Sequence, residues 1–305
     1  RFDRALHLFC ESLSLLRPFK NPALLTHSLI YSGIILHLNG EINQAQARLD
    51  EGLICAEATG DEWFAAYARL NQGYIASLLG RYEEGYEQMR ASLASMRAIG
   101  DPHALTLGLN FICPTVIELG HYEEAEAYLQ ESLILCTALG NRWGLGTAYR
   151  FLGLAALARE KFPEAETFIN YSLDVFNEFV TGWDIVLSLV YLGEIKASAG
   201  NLLEARRLFL EALPMALEVQ AIPLALNALV GMAYLAARSG QTEQALVLSI
   251  CVSCHPASTQ EAKDRAEQLC AELETQLTLQ QLEAVQTRAQ TRSLEVTVNE
   301  LLDVS

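Results

Sequence analysis

Gly120-His121-Tyr122-Glu123-Glu124-Ala125-Glu126-Ala127-Tyr128-Leu129-Gln130-Glu131-Ser132-Leu133-Ile134-Leu135-Cys136-Thr137-Ala138-Leu139-Gly140-Asn141 encloses one complete helix between two stop signals. Tyr122, Ala125, Leu129, Leu133 and Cys136 follow one another at steps of three and four, the spacing that gathers side chains on one face of an α-helix. Glu123, Glu124, Glu126 and Glu131 take the other face. The glycines at both ends suit the left-handed backbone in which many helices terminate. Asn141 then offers a side-chain oxygen to the free N–H groups of a following helix.

The same marks recur outward from this stretch. Glycines stand at 40, 80, 120, 200 and 240, with Glu160 in the remaining slot. A second series is Gly60, Gly100 and Gly140. A third is Gly33, Gly73, Gly153 and Gly193, with Cys113 and Ala233 as substitutes. Small residues recur at Ala45, Gly85, Ala125, Ala165, Ala205 and Ala245. Leucines recur at 13, 53, 93, 133, 173 and 213. All share a period of about 40 residues, the signature of a repeat architecture. The N-caps after the second glycine series are Asp61, Asp101 and Asn141, and by register Asn21 and Thr181. Pro22 and Pro102 follow at the first helical position, where a missing N–H costs nothing. Pro163 has a similar place near the start of a second-type helix.

The sequence therefore predicts an all-α chain of helix hairpins. A helices run near 22–38, 62–78, 102–118, 142–158, 182–198 and 222–238. B helices run near 41–58, 81–98, 121–138, 161–178, 201–218 and 241–250. The small residues let paired helices approach closely. Pro114 and Pro214 fall inside helices and predict kinks, with Cys113 marking a local distortion of the third repeat. Residues 1–20 form a half repeat: Phe2 aligns with Tyr82, Ala5 with Ala45 and Leu13 with Leu53. Its A helix is missing, which reads as a piece of a longer chain. The period fails after Ile250. A capping box from Ser258 to Glu261 and a stripe of Ala262, Ala266, Leu269, Leu273 and Leu277 predict a polar-faced helical cap over 251–305. Two shorter helices are expected near 279–289 and 293–302.

Composition narrows function. With 51% hydrophobic residues in 305, the chain can bury a large core. A formal charge of −16, with only 21 Lys and Arg, argues against direct nucleic-acid contact. Seven cysteines, an odd number among apolar neighbours, point to free thiols in a reducing cytoplasm. Val219–Ala237 carries no charge but contains Gln220, Pro223 and Asn227, and keeps register with five other helices, so no membrane span is expected.

Chemistry-bearing motifs are sparse. Cys251-Val252-Ser253-Cys254-His255 spells a c-type haem attachment pattern, yet no export signal or second ligand accompanies it and Pro256 follows directly. It reads as the end of the last B helix entering a turn, with two thiols that leave a redox role open. No second Cys or His pair lies at zinc spacing. His7, His27, His37, His103, His121 and His255 are scattered over different repeats. Neither a phosphate loop nor a nucleophile elbow occurs. Recurring pairs such as Glu83-Glu84 and Glu123-Glu124 are first turns of B helices, where negative charge suits the helix dipole. No catalytic, cofactor or metal residue is assigned.

The pattern resembles the tetratricopeptide repeat, through Leu152, Gly153, Ala165 and Ser172 and equally Leu192, Gly193, Ala205 and Ala212. The familiar unit has about 34 residues and this one about 40. No regular Lys/Asn/Arg set lies along the A helices to build a peptide-carboxylate clamp. The resemblance implies a right-handed α-α superhelix whose A helices line a concave groove. By register the groove would present Tyr67, Asn71, Tyr74, Asn110, Arg150, Glu194, Asn227 and Tyr234 to a protein, a peptide or a small inducer.

The tail sharpens this. His255-Pro256-Ala257-Ser258-Thr259-Gln260-Glu261, then Asp264-Arg265-Ala266-Glu267, with Leu301-Leu302 at the close, resembles the C-terminus of bacterial signal-transduction ATPases and LuxR-type, maltose-regulator-like transcriptional regulators. That resemblance implies a non-enzymatic sensor arm attached to an upstream ATPase. A free-standing scaffold that holds a partner peptide is the alternative.

Overall fold

The computed structural model describes residues 2–178 and 182–303. Among the described residues, every regular element is helical. The A helices are α2 (Pro22–Leu38), α4 (Glu62–Leu78), α6 (Pro102–Glu118), α8 (Arg142–Ala158), α10 (Gly182–Ser198) and α12 (Ile222–Arg238). The B helices are α1 (Phe2–Leu16), α3 (Ile42–Thr59), α5 (Tyr82–Ile99), α7 (Tyr122–Leu139), α9 (Phe162–Asn177), α11 (Leu202–Glu218) and α13 (Thr242–Ser253). The tail forms α14 (Gln260–Glu274), α15 (Leu279–Gln290) and α16 (Leu294–Asp303). Thr181, expected as an N-cap, and the side chain of Phe2 lie outside the described residues.

The A helices have the expected bounds, and their caps are those expected from the sequence. Asn21, Asp61, Asp101 and Asn141 accept from the backbone N–H of Ala23, Phe64, His103 and Gly144 at 2.9–3.1 Å. The six B helices from α3 to α13 all start one residue later than expected. Glu41, Arg81, His121, Lys161, Asn201 and Gln241 leave the helical region, as Glu41 does at φ −85° and ψ 58°, because they follow a left-handed turn residue. Glycine fills most such turns, but Lys20, Glu160 and Gln220 adopt φ of 51°, 58° and 59° in the same slots. The repeat geometry thus imposes this backbone even on residues that resist it.

Within a hairpin the helices touch backbone to backbone. A Cβ on Gly73 would lie 2.7 Å from the Gly85 carbonyl, and one on Gly85 would lie 2.5 Å from the Gly73 carbonyl. Cys113, which replaces a repeat glycine, is fully buried and donates to the Leu109 carbonyl at 2.9 Å. Pro114 and Pro214 sit within α6 and α11, which run on through them.

The chain divides into two compact units, Arg1–Glu178 and Phe179–Ser305. The change from repeats to tail expected after Ile250 would fall inside the second, where α13 runs on to Ser253. The core of the first unit includes Leu70, Met89, Ile112, Val116 and Leu129. In the second, α13 packs on α14 and α15 through Leu246, Val247, Leu273, Val285 and Ala289, with Leu269 and Leu277 partly buried beside them. The tail corrects one expectation. Ser258 makes no capping box but donates its hydroxyl to the Val252 carbonyl at 2.6 Å, and Thr259 caps α14 instead. A reciprocal box does form at Thr278 and Gln281. Among the described residues no helix is long and apolar enough to cross a membrane.

Candidate interaction surface

In the first unit, the A helices carry aromatic residues that meet from one repeat to the next. The Tyr31 ring stands 6.2 Å from the rings of both Phe64 and Tyr67, and Trp63 lies 5.2 Å from Tyr67. Further along, Tyr74 meets Phe111 edge-on at 5.6 Å, and Phe111 stacks with Trp143 at 6.2 Å. Such contacts stiffen large side chains that stay partly open to solvent. Tyr31 retains 37% of its accessible surface. Trp63 Nε1 donates to the Asp101 carboxylate at 2.9 Å, and this bond holds the Asp101 pKa below its ordinary value. Burial pushes the Tyr67 hydroxyl up to about 12.

The eight residues expected in a groove have different surroundings. Tyr67 and Tyr74 are partly buried members of the aromatic row. Asn71 is buried and donates to the Tyr67 carbonyl at 2.8 Å. Asn110 and Arg150 lie in the interior rather than on a groove surface. Asn110 donates to the Gly144 carbonyl at 3.0 Å and accepts from Ser132 at 2.7 Å, which ties α6 to α7 and α8. The Arg150 guanidinium lies over the rings of Phe151 and Phe176, at 5.4 and 5.1 Å. The signal for both was in the register: their column reads Ile30, Leu70, Asn110, Arg150, Val190 and Val230, apolar in four repeats of six.

In the second unit, Asn227 is half-buried and Tyr234 is exposed on the same helix. Glu194 is 14% exposed and accepts from Arg265 Nη1 at 2.6 Å. Glu194, Tyr234 and Arg265 share a cavity of about 330 Å³. Arg265 was missed as a site residue because it belongs to the tail, where no register points to it. Tyr31 and Phe64 were missed for another reason: their columns vary in residue type, although Tyr31 stands in register with Asn71.

Among the described residues, no group of three potential ligands could hold a metal ion. His255 Nδ1 already accepts from the Ala257 N–H at 3.1 Å. Cys251 and Cys254 are free thiols at the end of α13.

No sequence-family profile matches the chain, and no curated protein sequence does. Solved structures do match. A Rap protein complexed with Competence and Sporulation Factor aligns with 93% of this chain and 86% of its own, at TM-score 0.63 and 14% identity. NprR in complex with its cognate peptide NprX aligns with 90% of this chain and 83% of its own, at TM-score 0.60 and 13% identity. A signal-transduction ATPase with a tetratricopeptide-repeat sensor, from Pyrococcus horikoshii, aligns with 92% of this chain but 42% of its own, at TM-score 0.52 and 15% identity. Helix pairs in strict register, close A–B contacts at small residues and these likenesses together give the chain the tetratricopeptide-repeat fold.

Proposed function

We propose that this chain is a binding module that captures a protein or peptide partner on its A helices and serves as the sensor arm of a larger ATP-dependent regulator. The observation that carries the binding part is the aromatic row of the first unit, where Tyr31, Tyr67 and Tyr74 lie partly open beside polar neighbours. Rigid, amphipathic rings of this kind give contact area at low entropic cost. The likeness to the Rap and NprR structures supports a peptide as the partner. Within the second unit, Asn227, Glu194 and Tyr234 are proposed as binding residues of its own A helices. In this reading the chain binds rather than reacts, works in a reducing cytoplasm and makes no nucleic-acid contact of its own.

The regulator context rests on the tail and on the likeness to the tetratricopeptide sensor of the signal-transduction ATPase. A partner that favours one conformation of the arm would shift the equilibrium of an attached ATPase. The direct test selects peptides from a displayed library on the chain, then measures them against Tyr31→Ala and Tyr67→Ala. Affinity should drop by about tenfold in each. Selected peptides that bind both variants like the wild type would place binding elsewhere. For the context, the coding region upstream of Arg1 is decisive. A G-x-x-x-x-G-K-[ST] loop after an apolar strand supports the switch, and a start codon a helix or two upstream leaves a free-standing scaffold.

A further inference from the structure

One cavity of the second unit borders a position where a repeat lacks a side chain. The column that reads Tyr31, Asn71, Phe111, Phe151 and Tyr191 ends in Gly231. A Cβ there would lie 2.3 Å from the Phe209 ring, so the ring leans into the space that earlier repeats fill from the A helix. The remaining cavity, about 330 Å³ between α10, α12 and α14, has an apolar wall of Phe209, Val230 and Leu269. This is the small end of the range for ligand sites, room for one side chain or a compact molecule.

Its polar wall is unequal in charge. Glu194 and Glu272 supply two carboxylates and Arg265 one guanidinium. Arg265 is already held, by Glu194 at 2.6 Å and by Glu261 at 3.6 Å. Among the described residues, Glu272 meets only a neutral donor on its own helix, Gln268 Nε2 at 3.2 Å. The exposed Tyr234 ring bears the Arg238 guanidinium at 5.9 Å, so this ring already accepts a cation. An anionic ligand would have to take Arg265 from Glu194 and leave a nearly buried carboxylate unpaired, which is costly. A cation would meet Glu272 and, in place of Arg238, the Tyr234 ring, with an apolar wall for its stem.

We propose that this cavity binds an organic cation, a guanidinium or primary ammonium on a short aliphatic stem. The group comes either from a free amine or from an Arg or Lys side chain of a bound peptide. The proposal shares Glu194 and Tyr234 with the binding residues named above, but it does not rest on the peptide surface of the first unit and is read with a different probe.

The test is calorimetric titration of the whole chain with agmatine, with the tripeptide Gly-Arg-Gly and with glutarate as the anionic counterpart. Glu272→Gln and Tyr234→Ala are measured in parallel, with circular dichroism as a check on folding. Agmatine binding that weakens by about tenfold in Glu272→Gln, the worth of a charge-assisted hydrogen bond, supports a free amine. Binding of Gly-Arg-Gly alone, with the same loss, supports a peptide side chain. Three results would overturn the proposal: no binding of either cation at millimolar concentration, glutarate binding as well as agmatine, or equal binding by wild type and both variants. Peptides selected on the Tyr31 surface should bind Glu272→Gln unchanged, so each reading can fail without the other.

Discussion

His37 provides a sharp test of the packing. It is 7% exposed in α2, its ring 5.7 Å from that of Tyr74, and its buried Nδ1 has no hydrogen-bond partner among the described residues. Burial alone lowers its pKa from 6.5 to about 4. Because the folded value lies below the unfolded one, the unfolded chain takes up the proton first as pH falls. Stability from this residue is therefore complete above about pH 6.5 and declines toward pH 4. The gap between the two values sets a ceiling of about 3 kcal/mol, at ~1.4 kcal/mol per pH unit. Linkage gives a loss of about 2 kcal/mol at pH 5. The comparison is His37→Leu, since Leu157 holds the same register position. Urea unfolding, followed by circular dichroism at about pH 7.5 and about pH 5, should show the wild type losing ~2 kcal/mol more than the variant. Parallel pH profiles for the two proteins would show that His37 is not buried and neutral, and would refute the packing described for α2 and α4.

The left-handed turn residues give a second test: Glu160→Gly should stabilise the chain by up to about 1 kcal/mol in the same assay, since φ of 58° disfavours a side chain. Gly153→Leu should cost about 1–3 kcal/mol, because a Cβ there would already lie 2.6 Å from Ile169 Cδ1. Iodoacetamide with mass spectrometry should label Cys10 and Cys254 first and Cys113 last, since the first two are exposed while burial pushes the Cys113 thiol well up. Early labelling of Cys113 would mean that α6 and α7 open readily.

The hairpins were legible in the sequence because each stop, cap and start recurs at fixed register. Pro22 and Pro102 with Asn21 and Asp101 define helix starts from local chemistry alone, with little help from tertiary contacts. The binding residues were less legible. Asn110 and Arg150 are polar in type but stand in an apolar column, and the column decides burial while the residue type decides only how the interior is satisfied. Ser258 shows the reverse limit. Its sequence context fits a capping box, but the Val252 carbonyl at the end of α13 competes for its hydroxyl. The cavity at Gly231 could not be foreseen, because it depends on a ring from α11 and a charge pair brought in by the tail.

The constant register makes the repeat array resemble a one-dimensional crystal. Forty residues act as a lattice vector along the chain, and Glu160, Cys113 and Gly231 are point defects in it. A point defect strains its neighbours and leaves the lattice intact, so such sites are free to acquire a turn, a buried thiol or a cavity. An inserted or deleted residue would instead be a dislocation, throwing every later column out of step. Excision of residues 61–100 as one whole lattice vector preserves register, and the shortened chain should still fold as helix pairs.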